Sequence, residues 1–280
     1  MVKMEPVILT AIILFGVFAG ALGAMLGLGG GILMIIFFIL ALNLPLHTAV
    51  ALSLIAVIAS SSMAGSVYTR DKLTNIKLSI VLETCSVTGA IVGTVLALFL
   101  PAVFTEAVLV VVLFYASFMM FRAPISELAV EPAEGRRSLK GEFYDAIKKQ
   151  LIKYSPIRVK LGMVTSVVAG AISGIVGIGG GVVMVPIMNL IMKVPMRASA
   201  ATSNFMVGVT AAASALLYFN EGFVDLNVAV PTVVGIMVGA YIGTRLMVRV
   251  RTVQLKRLLG AVLAFFAVVL MLRALGVLTF

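Results

Sequence analysis

Two glycine runs have the most chemically suggestive spacing in this 280-residue chain: Gly27-Leu28-Gly29-Gly30-Gly31 and Gly177-Ile178-Gly179-Gly180-Gly181. Each interrupts a long apolar segment. Three consecutive glycines put glycine on every face of a helix, each at roughly 1 kcal/mol of helix propensity relative to alanine. The spacing therefore predicts a broken helix, with several main-chain N–H groups set free. A new half-helix then begins near Ile32 or Val182. Its first amides and positive dipole end can hold an anion without a buried cation. Gly29, Gly30, Gly31, Gly179, Gly180 and Gly181 are thus candidate substrate-binding residues. Ser53 and the run Thr202-Ser203-Asn204 open the spans that follow, and Ser60-Ser61-Ser62 lie deeper. Their hydroxyls and amide can donate to oxyanion oxygens, or can bond their own helix backbone instead.

Other readings of the glycines are weaker or local. A phosphate loop would end in Gly-Lys-Ser/Thr, and a dinucleotide fingerprint would follow a strand in a soluble βαβ unit; neither context is present. Close helix packing suits Gly235, Gly239 and Gly243, and the three- to four-residue spacing of Gly16, Gly20, Gly23, Gly27 and Gly31. Glu83 is the one acid well inside a span, and its counterpart is Val233. It is a candidate for carrying a coupling proton; the plainer alternative is a pair with Lys77 or the headgroups. His47, the only histidine, reads as a turn residue, and the single Cys85 rules out an intrachain disulfide and reads as a small buried side chain. One histidine, one cysteine and one deep acid make no nucleophile–base set and no metal centre, so no enzyme, metal or cofactor is expected.

The elements that must position these groups follow from composition. With 62% hydrophobic and 11% charged residues and a mean hydropathy of +1.20, the expected fold class is an all-α polytopic membrane protein. The net charge of +10 lies in short loops, where it signals topology rather than nucleic-acid binding. An offset of 150 residues superimposes residues 17–96 on a second copy without a gap, with about a quarter of positions identical. Pro45 falls on Pro195, Ser53 on Ser203, Tyr68 on Tyr218, and Gly93-Thr94 on Gly243-Thr244. Because residues 17–31 recur in mid-chain, the N-terminal apolar run is structural rather than a cleaved leader. The expected organisation is a first transmembrane repeat over 1–121, a linker over 122–157 and a second repeat over 158–280. Residues 6–42 and 158–192 each read as a hairpin or a pair of partial spans, because the second limb is short of the roughly 20 residues that cross a bilayer.

Loop charges set the orientation. The loop at 70–77 carries Arg70, Lys72 and Lys77, whereas its counterpart at 219–227 carries Glu221 and Asp225. The turn at 43–47 has no Lys or Arg, but its counterpart has Lys193 and Arg197. Since Lys and Arg mark the cytoplasmic side, the two repeats are expected to be inverted, with both termini outside and the linker inside the cell membrane. Inverted repeats are a common architecture of secondary transporters, with a site near the midplane. In the linker, Phe143, Ile147, Leu151 and Tyr154 are spaced as one face of an amphipathic helix, lying on lipid or solvated. The expected partners are a small anionic substrate and the lipid bilayer, and the pattern is compatible with a homo-oligomer. A cation or proton exchanger built on Glu83, or a carrier of another small carboxylate, is the alternative.

At Gly27-Leu-Gly-Gly-Gly, Pro45, Ser53 and Gly89-Ala-Ile-Val-Gly-Thr94, and again at Gly177 through Pro186, Ala201-Thr-Ser-Asn204 and Gly239-Ala-Tyr-Ile-Gly-Thr244, the chain resembles the TauE/SafE family of sulfite and organosulfonate exporters. The resemblance implies gradient-driven export of sulfite, sulfoacetate or a related sulfonate. The first copy departs from the second at Ile36, opposite Pro186, and at Leu52, opposite Thr202.

Overall fold

A computed structural model describes residues 6–122, 139–145, 150–249 and 252–274. The first half holds α1 (Pro6–Leu26), α2 (Gly31–Leu40), α3 (Leu46–Arg70), α4 (Ile76–Phe99) and α5 (Ala102–Arg122). The second holds α6 (Val159–Val176), α7 (Gly181–Pro186, continued by a π-helical turn Ile187–Ile191), α8 (Met196–Asn220), α9 (Leu226–Met247) and α10 (Thr252–Ala274). Among the described residues, six helices are long and apolar enough to cross a membrane: α1, α3, α4, α6, α8 and α9. The chain is an all-α multi-pass membrane protein, with one small hairpin among the described residues.

The punctuation is local chemistry. Pro45 and Pro195 precede the first turns of α3 and α8, where a missing N–H is harmless. Asn75 and Asp225 cap α4 and α9, accepting from Leu78 N and Asn227 N. The helix α2 has only 10 residues, about 15 Å of rise, so it covers half a bilayer.

The linker corrects one expectation. Gly141–Asp145 (β1) and Gln150–Tyr154 (β2) form an antiparallel hairpin in which Phe143 faces Ile152 and Glu142 faces Lys153. The amphipathic helix expected through Phe143, Leu151 and Tyr154 is therefore replaced by strands; Ile147, Lys148 and Lys149 lie outside the described residues. Phe143 and Tyr154 are buried with Leu139 against Leu78, Leu82 and Met192. Burial pushes the Tyr154 phenol up to about 12, an effect that a hydrogen bond with Asn75 partly offsets, so it stays neutral at physiological pH.

Helix packing obeys the 150-residue offset. α1 lies along α9 as its counterpart α6 lies along α4, while α3 packs on α8 and α5 on α10. Glycines set the closeness: a methyl group on Gly235, Gly239 or Gly243 would collide with the backbone of Ile13, Val17 and Ala21, and one on Gly89 or Gly170 with Val167 and Ser86. These registers make α1 parallel to α9 and α4 parallel to α6. Gly65 meets Phe205 and Gly208 meets Ser61, so α3 and α8 are antiparallel. His47 Nε2 lies 3.3 Å from Ala97 O, which brings the start of α3 to the end of α4. Tyr68 near the end of α3 reaches Ala24 near the end of α1, and Tyr218 reaches Gly174 in the same way. The outward faces of α4 and α9 carry exposed Ile91, Val92, Leu96, Val230, Val234 and Val238, an apolar girdle suited to lipid.

Candidate functional site

Both glycine runs are breaks, as the spacing predicts. Gly27, Gly29 and Gly30 have φ of 78°, 70° and 73°, and Gly177, Gly179 and Gly180 have 76°, 73° and 78°. This left-handed region costs a side-chain-bearing residue roughly 1–2 kcal/mol at each position. α1 ends at the first run and α2 begins at Gly31; α6 ends at the second and α7 begins at Gly181. A methyl group on Gly31 would sit 3.3 Å from Gly177 O, and one on Gly181 would run into Gly27 O and, 3.0 Å away, Leu28 Cα. The N-terminal ends of α2 and α7 thus each meet the opposite break.

Two of the polar residues chosen from the sequence reach the breaks, and they do so reciprocally. Ser53 Oγ donates to Gly177 O at 2.6 Å, and Ser203 Oγ donates to Gly27 O at 2.8 Å. Ser53 also sits 2.8 Å from Val50 O in its own helix. Asn204 Nδ2 donates to Ala24 O at 2.7 Å, while its Oδ1 is buried and accepts no hydrogen bond. Thr202 Oγ1 accepts from Asn75 N at 3.0 Å. All four side chains are fully buried, so their bonds are made out of water and are dear to leave unmade.

Several contributors carried weak signals in the sequence. Val57 and Val207, equivalent under the repeat, stand between the breaks: methyls on Gly29 and Gly179 would lie 3.0 Å and 2.6 Å from Val57 Cγ1, with Val207 at 3.5 Å and 3.3 Å. Identity at equivalent positions marks them, as it marks Tyr68 and Tyr218, whose hydroxyls donate to Ala24 O at 3.0 Å and Gly174 O at 3.3 Å. The serine triplet divides: Ser60 donates to Gly29 O at 2.5 Å, Ser61 to Asn204 O, and Ser62 to Ile58 O of its own helix. A cavity of about 800 Å³ opens between α3 and α8, lined in part by Ser61, Ser62, Arg70 and Phe205. Glu83 faces α8 instead of the breaks: its Oε1 accepts from Thr210 Oγ1 at 2.8 Å, and Ser86 Oγ is 3.1 Å from the same hydroxyl. Glu83 Oε2 is buried and has no hydrogen-bond partner. Among the described residues, no group of three or more His, Cys, Asp and Glu side chains converges.

The candidate site therefore gathers two helix N-termini, a hydroxyl from each half, the Asn204 amide and a pair of valines between them. The family model described as sulfite exporter TauE/SafE matches residues 12–270. The chain is 25% identical over 239 residues to a protein of Bacillus subtilis (strain 168) named "Probable membrane transporter protein YdhB", covering 85% of this chain and 88% of that one. A second from the same organism, "Probable membrane transporter protein YunE", is 24% identical, with 90% and 93% covered. A further one so named from Methanocaldococcus jannaschii is 24% identical over 95% of this chain and 96% of its own. No solved structure matches.

Proposed function

Since the chain belongs to the sulfite exporter TauE/SafE family, we propose that this membrane transporter is a secondary carrier that exports small sulfur oxyanions, such as sulfite or sulfoacetate, by alternating access between two inverted halves. The observation that carries this reading is the reciprocal pair, Ser53 on Gly177 O and Ser203 on Gly27 O. Each half uses a hydroxyl to hold the broken helix of the other, and it does so where two helix N-termini meet. An oxyanion with three oxygens can take the place of those carbonyls, accepting from Ser53, Ser203 and the first amides of α2 and α7. Gly29, Gly30, Gly31, Gly179, Gly180 and Gly181 let the backbone approach it, with Thr202 and Asn204 at the rim. Here the hydroxyls are engaged with carbonyls and the valines fill the axis, an arrangement that fits an occluded conformation. A weak site without a buried cation suits release as well as capture.

The helix registers support the inversion. α1 runs with α3, and α6 with α8, while α3 opposes α8. Asn75 contacts both Thr202 and Leu139, and Ile157 N donates to Met192 O, contacts that support a common side for the basic turns around 70–77 and 192–197 and the linker residues 139–145 and 150–158. That side is the cytoplasmic one of the cell membrane, with the linker inside and both termini outside. A cation exchanger would need several carboxylates in the membrane, whereas Glu83 bonds a lone threonine and is the candidate coupling group. Uptake and efflux in proteoliposomes across sulfite, sulfoacetate, taurine and acetate, with and without a proton gradient, tests the reading. Saturable flux of the sulfur anions is expected; flux of acetate alone, or of none, would overturn it.

A further inference from the structure

We propose that Asn75 is a positioning residue that fastens closure of the basic face, and that this fastening, absent from the opposite face, sets which way the carrier rests. The inference builds on the alternating-access reading. All four polar groups of Asn75 are engaged. Its N–H donates to Thr202 Oγ1 at 3.0 Å, its Nδ2 to Leu139 O at 3.0 Å, its Oδ1 accepts from Leu78 N at 3.1 Å and its carbonyl from Ser79 N at 2.9 Å. One residue thus joins the start of α4, the linker and α8. The next residue of α8, Ser203, holds Gly27 O at the break. The linker is seated to match: a methyl group on Gly141 would lie 2.5 Å from the Tyr154 ring and 2.9 Å from Asn75 Nδ2.

The repeat makes the argument, because the symmetric position keeps the helix cap and its carbonyl bond but lacks both bonds that reach out of the helix. Asn75 is equivalent to Asp225, and Thr202 to Leu52. Leucine offers no acceptor, so the N–H of Asp225 has no such side chain to meet. Asp225 is half-buried, its carboxylate accepts locally from Asn227 N, and nothing lies within 4 Å of a methyl group placed on Gly222 in the same turn. On that face His47 is stacked on Phe223, ring centroids 5.3 Å apart, with its Nε2 3.3 Å from Ala97 O. The basic face therefore carries two buried hydrogen bonds and a docked hairpin that have no counterpart at Asp225. The basic-face gate is the harder one to open, so the resting carrier faces the opposite side.

The test reads sidedness. Val50 and Ala200 are equivalent and abut Gly177 and Gly27 respectively, so Val50→Cys and Ala200→Cys, each in a Cys85→Ser background, report opening of the two faces to a membrane-impermeant maleimide applied to right-side-out or inverted vesicles. Saturating sulfoacetate, which unlike sulfite does not add to a maleimide, is applied first to the reporters alone. If it changes labelling from neither side, alternating access itself falls and this proposal with it. Given a response, Asn75→Asp keeps the cap but loses the donor to Leu139. It should speed basic-face labelling of the Ala200→Cys reporter about two- to tenfold, the range a single buried hydrogen bond sets on an equilibrium, and slow labelling of the Val50→Cys reporter. Gly141→Val, which unseats the hairpin, should act the same way. Thr202→Val should do so more strongly, and Thr202→Ser, which retains the acceptor, should restore the parent pattern. Reporters that stay unchanged, or that both speed up together as in general loosening, would overturn the assignment.

Discussion

Replacing Gly179 with alanine tests the central geometry, because two separable penalties act there. The φ of 73° costs an alanine about 1–2 kcal/mol whatever the surrounding space. The added methyl also lands 2.6 Å from Val57 Cγ1 and 3.3 Å from Val207 Cβ, an overpacking worth about 1–3 kcal/mol. Gly179→Ala should therefore destabilise by about 2–5 kcal/mol in total. Val57→Ala alone removes two methyl groups from a buried position, about 1.6 kcal/mol at ~0.8 per methyl. Combined, the second substitution makes room for the first. The double variant should be more stable than the sum of the singles by about 1–3 kcal/mol, while the backbone strain remains. The assay is reversible unfolding of the four proteins in mixed micelles, read by tertiary fluorescence of an attached probe. A coupling energy within about 0.5 kcal/mol of zero, the level found for independent sites, would mean that Val57 does not lie across from the second break, and the arrangement of the site would fall with it.

Gly30→Ala should destabilise more than Gly180→Ala, by about 1–3 kcal/mol in the same unfolding assay. Both are left-handed, but a methyl on Gly30 lies 2.7 Å from Ala19 O and one on Gly180 has 3.4 Å of clearance; equal losses would refute the steric account. Ser53→Ala and Ser203→Ala each remove one hydroxyl–carbonyl bond worth about 0.5–1.5 kcal/mol, so folded protein should persist while sulfite KM in proteoliposomes rises about tenfold or more. An unchanged KM in both would confine these serines to bracing the helices. Glu83→Gln keeps an acceptor for Thr210 but has no titratable proton to carry, so transport should lose its response to an imposed pH gradient; full retention of that response removes Glu83 from the coupling role.

Much of this was legible in the primary structure, and the reasons are particular. The breaks at Gly27–Gly31 and Gly177–Gly181 could be read because three adjacent glycines leave no helix face with a side chain, a local property. Ser53 and Ser203 could be picked as a pair because the duplication preserved them. The hairpin at 141–154 misled for an equally local reason: Phe143, Leu151 and Tyr154 fit a helical period, but so short a segment also accommodates the alternation of a strand. In the fold, Phe143 and Tyr154 are diagonal neighbours on the paired strands β1 and β2 and share one buried cluster. Val57 is marked only by its identity with Val207 under the repeat, because a valine in an apolar helix carries no chemical signal of its own.

The amino-acid order alone determined the membrane solvent, the duplication, the two interruptions and the alternation of loop charge, since each depends on composition or on neighbours a few positions apart. Tertiary structure decided where the hydroxyls point. Ser53 and Ser203 meet carbonyls 124 and 176 positions away, and Asn75 meets Thr202 across 127. No local periodicity encodes such pairings, because they exist only once glycine-lined helices have closed to backbone contact and brought the two halves face to face.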